Sequence, residues 1–95
     1  MSERDELSIA FEQDGKELVR ELEREVLTTG AWATVMYLYQ ERSRNAEEWS
    51  EPKVRIQRFQ KKSGEYKYQS KFNISSAKQA EKIIEVLGRW YKLGE

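Results

Sequence analysis

Two segments in the second half of the chain alternate between polar and apolar side chains. In residues 53–60, Val54 and Ile56 fall on one side of an extended chain, and residues 65–74 alternate in the same way. A period of two is typical of half-buried strands. The intervening residues contain Gly64, which favours a tight turn. The pattern predicts an antiparallel hairpin whose core side carries Val54 and Ile56.

A second hairpin is predicted nearer the N-terminus. Residues 31–42 are rich in aromatic and β-branched side chains, and a Thr-Thr-Gly turn ending at Gly30 precedes them. We therefore expect a strand from about Leu22 to the turn. Residues 17–27 also place apolar side chains four apart, as a helix would, so a helix remains an alternative for this segment.

The C-terminal part has the signature of an amphipathic helix over residues 76–92. Ser76 and Gln79 have the spacing of a capping box, in which each side chain satisfies a backbone amide at the helix start. The apolar residues that follow share one stripe, which we expect to lie on the sheet: Ala80, Ile83, Ile84, Leu87 and Tyr91. The predicted fold class is α+β, a four-stranded antiparallel sheet followed by this helix (β-β-β-β-α).

The first sixteen residues are polar and acidic and differ from the rest. Leu7, Ile9 and Phe11 alternate with small side chains, so a short edge strand is one reading and a loosely ordered tail is the other. We expect residues 1–16 to be a loosely ordered segment and residues 17–95 to form a single domain.

Composition argues against an enzyme. The chain has no histidine and no cysteine, its glycines are scattered, and its carboxylates fall in charged, solvated stretches. No catalytic residue, metal site or cofactor is expected. The longest apolar run, residues 31–38, is shorter than the ~20 residues that span a bilayer. We therefore expect no membrane partner and a cytoplasmic or nucleoid-associated location.

The zero net charge hides an uneven distribution. Residues 1–50 carry twelve acidic and six basic side chains, whereas residues 53–82 carry nine basic and two acidic ones. A polyanion would be attracted to the second half.

Aromatic rings accompany these cations. If the strand with Tyr37 and Tyr39 shares a face with the cations of the second hairpin, one surface offers charge for phosphates and rings for unstacked bases. This arrangement favours single-stranded DNA, with RNA as a further candidate. A basic sheet could instead dock an acidic protein partner, or simply keep a sheet face soluble. The candidate binding residues are Tyr37, Tyr39, Trp49, Lys53, Arg55, Phe59, Lys61, Lys62, Lys67 and Lys71.

The helix carries more apolar bulk than one small sheet needs. Val86, Trp90 and Leu93 lie outside its main stripe, which predicts a homodimer that uses these three residues as its interface.

Residues 49–87 resemble a known family. The segment Trp-Ser-Glu-Pro-Lys-Val-Arg-Ile-Gln-Arg-Phe that starts at Trp49, a second strand, a Ser-Ser cap and the helix Ala-Glu-Lys-Ile-Ile-Glu-Val-Leu that starts at Ala80 are similar to the positive cofactor 4 family of transcriptional coactivators, and most of all to its small bacterial members. The resemblance implies a curved four-stranded antiparallel sheet with one helix, dimerisation largely through that helix, and sequence-independent binding of single-stranded DNA in transcription or DNA maintenance. It also implies which residues bind: Lys53, Arg55, Lys67 and Lys71 near the DNA backbone, and Trp49 and Phe59 near the bases.

Overall fold

Five strands and one helix make up the fold. The computed structural model describes residues 7–94, and the strands are β1 (Phe11–Gln13), β2 (Lys16–Thr28), β3 (Trp32–Glu41), β4 (Lys53–Lys62) and β5 (Glu65–Ile74), followed by helix α1 (Ala77–Tyr91). Each strand pairs antiparallel with the next in one curved sheet. The α+β class with an antiparallel sheet and a C-terminal helix is confirmed, but the sheet has five strands where the sequence predicted four. Within residues 7–94 no helix is long and apolar enough to cross a bilayer.

Two tight turns fix the pairing of β1 with β2 and of β4 with β5. Asp14 and Gly15 have φ angles of 52° and 80°, and Ser63 and Gly64 have φ angles of 53° and 81°. Positive φ at both central residues defines the two-residue turn whose twist matches that of paired strands. The predicted hairpins through Gly30 and Gly64 are both present.

Strand β2 covers all of the segment for which a helix was the alternative. It starts at Lys16 instead of near Leu22, and its pairing with β3 skips Leu22 and Leu27, which lie in β-bulges. Because a bulge adds one residue to a strand, it changes which later residues share a face. The bulge at Leu22 therefore places Leu18 and Val26 on opposite faces, although a spacing of eight would place them on one face of an unbroken strand.

The two faces of the sheet differ in burial. We call the inner face the side that carries Val35 and Tyr37, which pair with Gln57 and Arg55. The buried core lies on this face, in a cluster that contains Leu7, Ala33, Val35, Tyr37, Tyr39, Phe59 and Tyr66.

The opposite side, the outer face, carries half-buried apolar residues. Val54 and Ile56 belong to it, paired with Ile74 and Phe72. The prediction that Val54 and Ile56 point into the core was wrong. The alternation of β4 was correct, but it cannot tell which of its two faces the rest of the chain covers.

Helix α1 starts as predicted and packs less than predicted. The Ser76 hydroxyl accepts from the Gln79 amide at 3.2 Å, while the Gln79 side chain accepts from the amide of Ser75, one residue before the cap, at 2.7 Å. The principal neighbour of the helix is β5, and no helix residue is buried. The expectation that the apolar stripe lies on its own sheet was therefore wrong for most of the stripe, since Ile84 and Tyr91 are exposed.

The N-terminal segment is ordered over its described part. Leu7 is buried in the core cluster, and Phe11–Gln13 forms strand β1 at the edge of the sheet. The loosely ordered tail predicted for residues 1–16 therefore does not extend over residues 7–16. Residues 1–6 lie outside the described part of the chain.

Candidate nucleic-acid interface

Cations from two strands line a pocket at one end of the inner face. The pocket has a volume of about 300 Å³, and the polar residues around it are Glu41, Lys53, Arg55, Lys71, Asn73 and Ser75. Strand pairing brings them together, because Arg55 is opposite Asn73 and the next inner-face pair is Gln57 with Lys71. We call this site the cationic pocket. Three cations face one carboxylate there, so it suits an anion such as a phosphate.

Neutral groups hold the Arg55 side chain in place. Its Nε donates to the Asn73 side-chain oxygen at 3.0 Å, a terminal nitrogen lies 3.5 Å from the Tyr39 hydroxyl, and its guanidinium stacks 4.6 Å from the centre of the Tyr39 ring. Neither partner within residues 7–94 is a carboxylate. Arg55 is thus oriented while its charge stays unneutralised, which reduces the ordering cost of binding an anion.

The other two cations of the pocket differ from each other. Lys53 donates to the Glu41 carboxylate at 2.6 Å, and this hydrogen bond raises the pKa of the Lys53 amine above its ordinary value. Lys71 is exposed. A phosphate entering the pocket would meet Lys71 and Arg55 without first breaking an ion pair, whereas Lys53 would have to leave Glu41.

The rings predicted as stacking platforms are buried in this structure. Tyr37 is 1% exposed, Tyr39 2% and Phe59 3%. They do share the inner face with Lys53 and Arg55, as the sequence predicted. The expectation that they lie open on this face was wrong, because Leu7 packs into their cluster.

A bulge in β5 separates two lysines that were predicted to lie together. Arg58 pairs with Ser70 and Phe59 with Tyr68, so Gln69 has no partner across the ladder. Lys71 therefore shares the inner face with Arg55, while Lys67 projects from the outer face, where it pairs with Glu65 at 2.8 Å. The prediction that both lysines flank Arg55 was wrong for Lys67.

Trp49 lies away from the cationic pocket. Its ring is half-buried between two guanidinium groups, with Arg20 at 4.3 Å and Arg42 at 4.2 Å from the ring centre. Arg20 also donates to the Gln40 side chain on the outer face. The ring that the resemblance places near the bases is thus covered by two arginines, and the structure does not bring it together with Phe59.

Lys61 and Lys62 lie at the far end of β4, beside the hairpin turn. The Lys61 amine is 5.4 Å from the centre of the Tyr66 ring on the inner face, and Lys62 is opposite Glu65. They extend the positive surface along the hairpin but are not part of the cationic pocket.

Sequence reasoning missed three polar residues of the pocket: Glu41, which pairs with Lys53, and Asn73 and Ser75. Asn73 orients Arg55, and Ser75 closes the pocket beyond the end of β5. Asn73 had a usable signal, because the alternation of β5 places it two residues from Lys71. Ser75 had none, since its position depends on how the chain leaves the sheet.

The helix presents an apolar surface to solvent. Trp90 is 71% exposed and Leu93 66% exposed, whereas Val86, the third residue predicted for a dimer contact, is half-buried. Ile84, Leu87 and Tyr91 extend the same exposed surface.

Comparison with protein-family models, with curated proteins and with solved structures yields no match for this chain. The resemblance to the positive cofactor 4 family therefore stays a prediction.

Proposed function

We propose that this protein binds single-stranded DNA, without strong sequence preference, through the cationic pocket and the adjoining inner face, and that it does so as a homodimer in transcription or DNA maintenance. The observation that carries the proposal is Arg55, a guanidinium held in position by Asn73 and Tyr39 with no carboxylate among these partners. Lys71 and Lys53 add two further cations within the same pocket. Phosphates are the anions that such a cluster on an open strand surface would meet along a nucleic acid.

Two exposed apolar surfaces of the single chain support the proposed homodimer. One is the exposed side of α1 around Trp90, and the other is the outer face around Phe72, which is 51% exposed. A short Ser75-Ser76 connection holds the helix near the end of β5. Helix α1 therefore leaves most of the outer face of its own sheet uncovered. A second copy offers a matching pair of apolar surfaces, and closed two-fold symmetry would cover both.

A charge-matched pair of double variants tests the site. Arg55→Ala with Lys71→Ala removes one arginine of β4 and one lysine of β5 from the inner face. Arg58→Ala with Lys67→Ala removes the same charges from the same two strands on the outer face. Anisotropy of labelled oligo-dT at two salt concentrations gives affinity and salt slope. The inner-face variant is expected to lose about tenfold or more in affinity and about two counterions in slope.

Equal losses in the two variants would mean that net charge, not the cationic pocket, drives binding. No binding of oligo-dT by the wild-type chain would overturn the proposal. Competition by an RNA oligonucleotide of the same length decides between DNA and RNA, and retention on an acidic peptide without oligonucleotide binding would favour a protein-docking module.

A further inference from the structure

A short N-terminal segment covers the ring cluster of the inner face. Leu7 is 4% exposed, and it is the member of the buried cluster that does not come from a strand. The other buried members belong to β3, β4 and β5. We call residues 7–10 the strap and the ring-lined depression below it the trough. Leu7 and the half-buried Ile9 both pack on this cluster, so the strap covers part of an aromatic surface on the face where the proposed function requires one.

We infer that the trough is a binding site for an unstacked base, that the strap occupies it in the free protein, and that single-stranded DNA displaces the strap on binding. This inference rests on the proposed function and adds a ligand site and an internal competitor to it.

The strap imitates the groups that a base would present. The Tyr37 hydroxyl donates a hydrogen bond to the backbone carbonyl of Leu7, and the Leu7 side chain lies against the ring cluster. A thymine offers the same two features, a ring carbonyl that accepts a hydrogen bond and a flat face that packs on aromatic rings. Displacement would therefore exchange one carbonyl for another at Tyr37 instead of leaving a buried hydroxyl without a partner.

Among the described residues, two hydrogen bonds and the packing of Leu7 and Ile9 on the ring cluster hold the strap. Besides the Tyr37 bond, the Ile9 amide donates to the Glu21 carboxylate at 3.3 Å, a long hydrogen bond. The strap continues into β1, a three-residue edge strand whose pairing shifts between Phe11 and Glu12. Segments with few hydrogen bonds at the edge of a sheet open at lower free-energy cost than its central strands.

The trough and the cationic pocket are continuous through Tyr39. This residue belongs to the buried cluster with Leu7 and also lines the pocket, with the Arg55 guanidinium stacked on its ring. A strand with one phosphate in the pocket would therefore carry a neighbouring base towards the trough. The strap and that base cannot occupy the trough together.

A loosened strap should raise affinity for oligo-dT. Leu7→Ser removes the side chain that fills the trough, and the expected gain is on the order of tenfold, because binding no longer depends on a minor open state. The matched control neutralises the acidic residues before the strap and keeps Leu7: Glu3→Gln with Asp5→Asn and Glu6→Gln. Its gain should fade at high salt, whereas the Leu7→Ser gain should persist.

Exchange of the Ile9 amide in the wild-type chain tests displacement directly and does not depend on how the variants fold. Saturating oligo-dT should speed exchange at Ile9 while amides in β3 and β4 stay protected. Unchanged or slower Ile9 exchange in a chain that has bound oligo-dT would overturn the inference and leave the proposed function intact. Failure of both wild-type and Leu7→Ser chains to bind oligo-dT would overturn both.

Discussion

The inner and outer faces of the sheet are built from the same strands but differ in how much of their apolar surface is buried. The inner face buries Tyr37, Tyr39 and Phe59, with Leu7 as the cover that the chain itself supplies. The outer face keeps Ile56 half-buried and Phe72 exposed, and α1 leaves most of its own apolar side in solvent. The chain therefore buries the rings of the inner face by itself, while apolar surface of the outer face stays exposed and is available to a partner.

The largest effect is expected from removing an inner-face ring. Phe59→Ala should destabilise the protein by about 3–5 kcal/mol, because a buried ring leaves a cavity that the sheet cannot close. The matched control is Phe72→Ala on the outer face, which should cost about 1 kcal/mol or less in a monomer, since the ring is half exposed already. Urea denaturation measures both. Similar losses of unfolding free energy in the two variants, at every protein concentration, would contradict the difference in burial between the faces. A Phe72→Ala loss that grows with protein concentration would instead assign part of the loss to a dimer.

The next effect concerns association. Trp90→Ala should weaken a dimer by about 2 kcal/mol or more, as truncation of a large interface ring commonly does, without changing the stability of the monomer. Arg89→Ala on the same helix is the control, since this exposed side chain lies at a long distance of 3.9 Å from the Glu85 carboxylate. Sedimentation equilibrium measures the mass. A wild-type mass near 11.3 kDa at micromolar concentration would contradict the dimer.

Alkaline pH should destabilise the protein through the buried Tyr37 hydroxyl of the inner face. The pKa of the Tyr37 hydroxyl is raised to about 12, chiefly by burial and also by the nearby Glu21 carboxylate, while Arg24 and Arg55 oppose the rise. Since this pKa is higher in the folded state than the usual 10, its contribution to stability is full below pH 10 and is lost as pH rises towards 12. The loss should be about 1.4 kcal/mol per pH unit within that window. Tyr37→Phe should flatten this slope; an equally steep loss in that variant would assign the effect to other groups.

The smallest effect is expected at the helix cap. Ser76→Ala should lower stability by about 1 kcal/mol, because the Gln79 amide loses its acceptor. Circular dichroism should show loss of helix before loss of sheet, since α1 has little tertiary packing to hold it. Helix and sheet melting together would indicate that α1 is more firmly attached than its exposure implies.

Local chemistry accounts for the parts of the fold that the sequence predicted. The hairpins through Gly30 and Gly64 and the start of α1 depend on residues within a few positions of one another, and all three are present. Strand β1 also had a local signal, the Asp14-Gly15 dipeptide of a two-residue turn, which the prediction did not use.

Contacts between distant residues account for the errors. Alternation correctly grouped Tyr37 with Arg55 but could not show that Leu7, thirty residues earlier, covers the ring. It also assumed unbroken strands, so it placed Lys67 beside Lys71. For the candidate site, the cations Arg55 and Lys71 could be predicted from strand period. The burial of the rings could not, because the strap, Val19 and the arginines that lie over the rings come from other segments of the chain.

The bulge at Gln69 has a consequence for how this protein can vary. Odd-numbered residues of β5 point to the outer face before Gln69 and to the inner face after it. Tyr66 and Lys71 therefore point to the same side although they are five residues apart. Deleting Gln69 would remove the extra residue, so Tyr68 and Ser70 would follow each other opposite Phe59 and Arg58, and the other side chains of β5 would keep their faces. Replacing Gln69 by another polar residue would also leave the faces unchanged, since this position is exposed. Strand β5 therefore tolerates both a change of identity and the loss of one residue at this position, whereas a deletion in the middle of β4, whose ladder with β3 is unbroken, would move the following side chains to the opposite face.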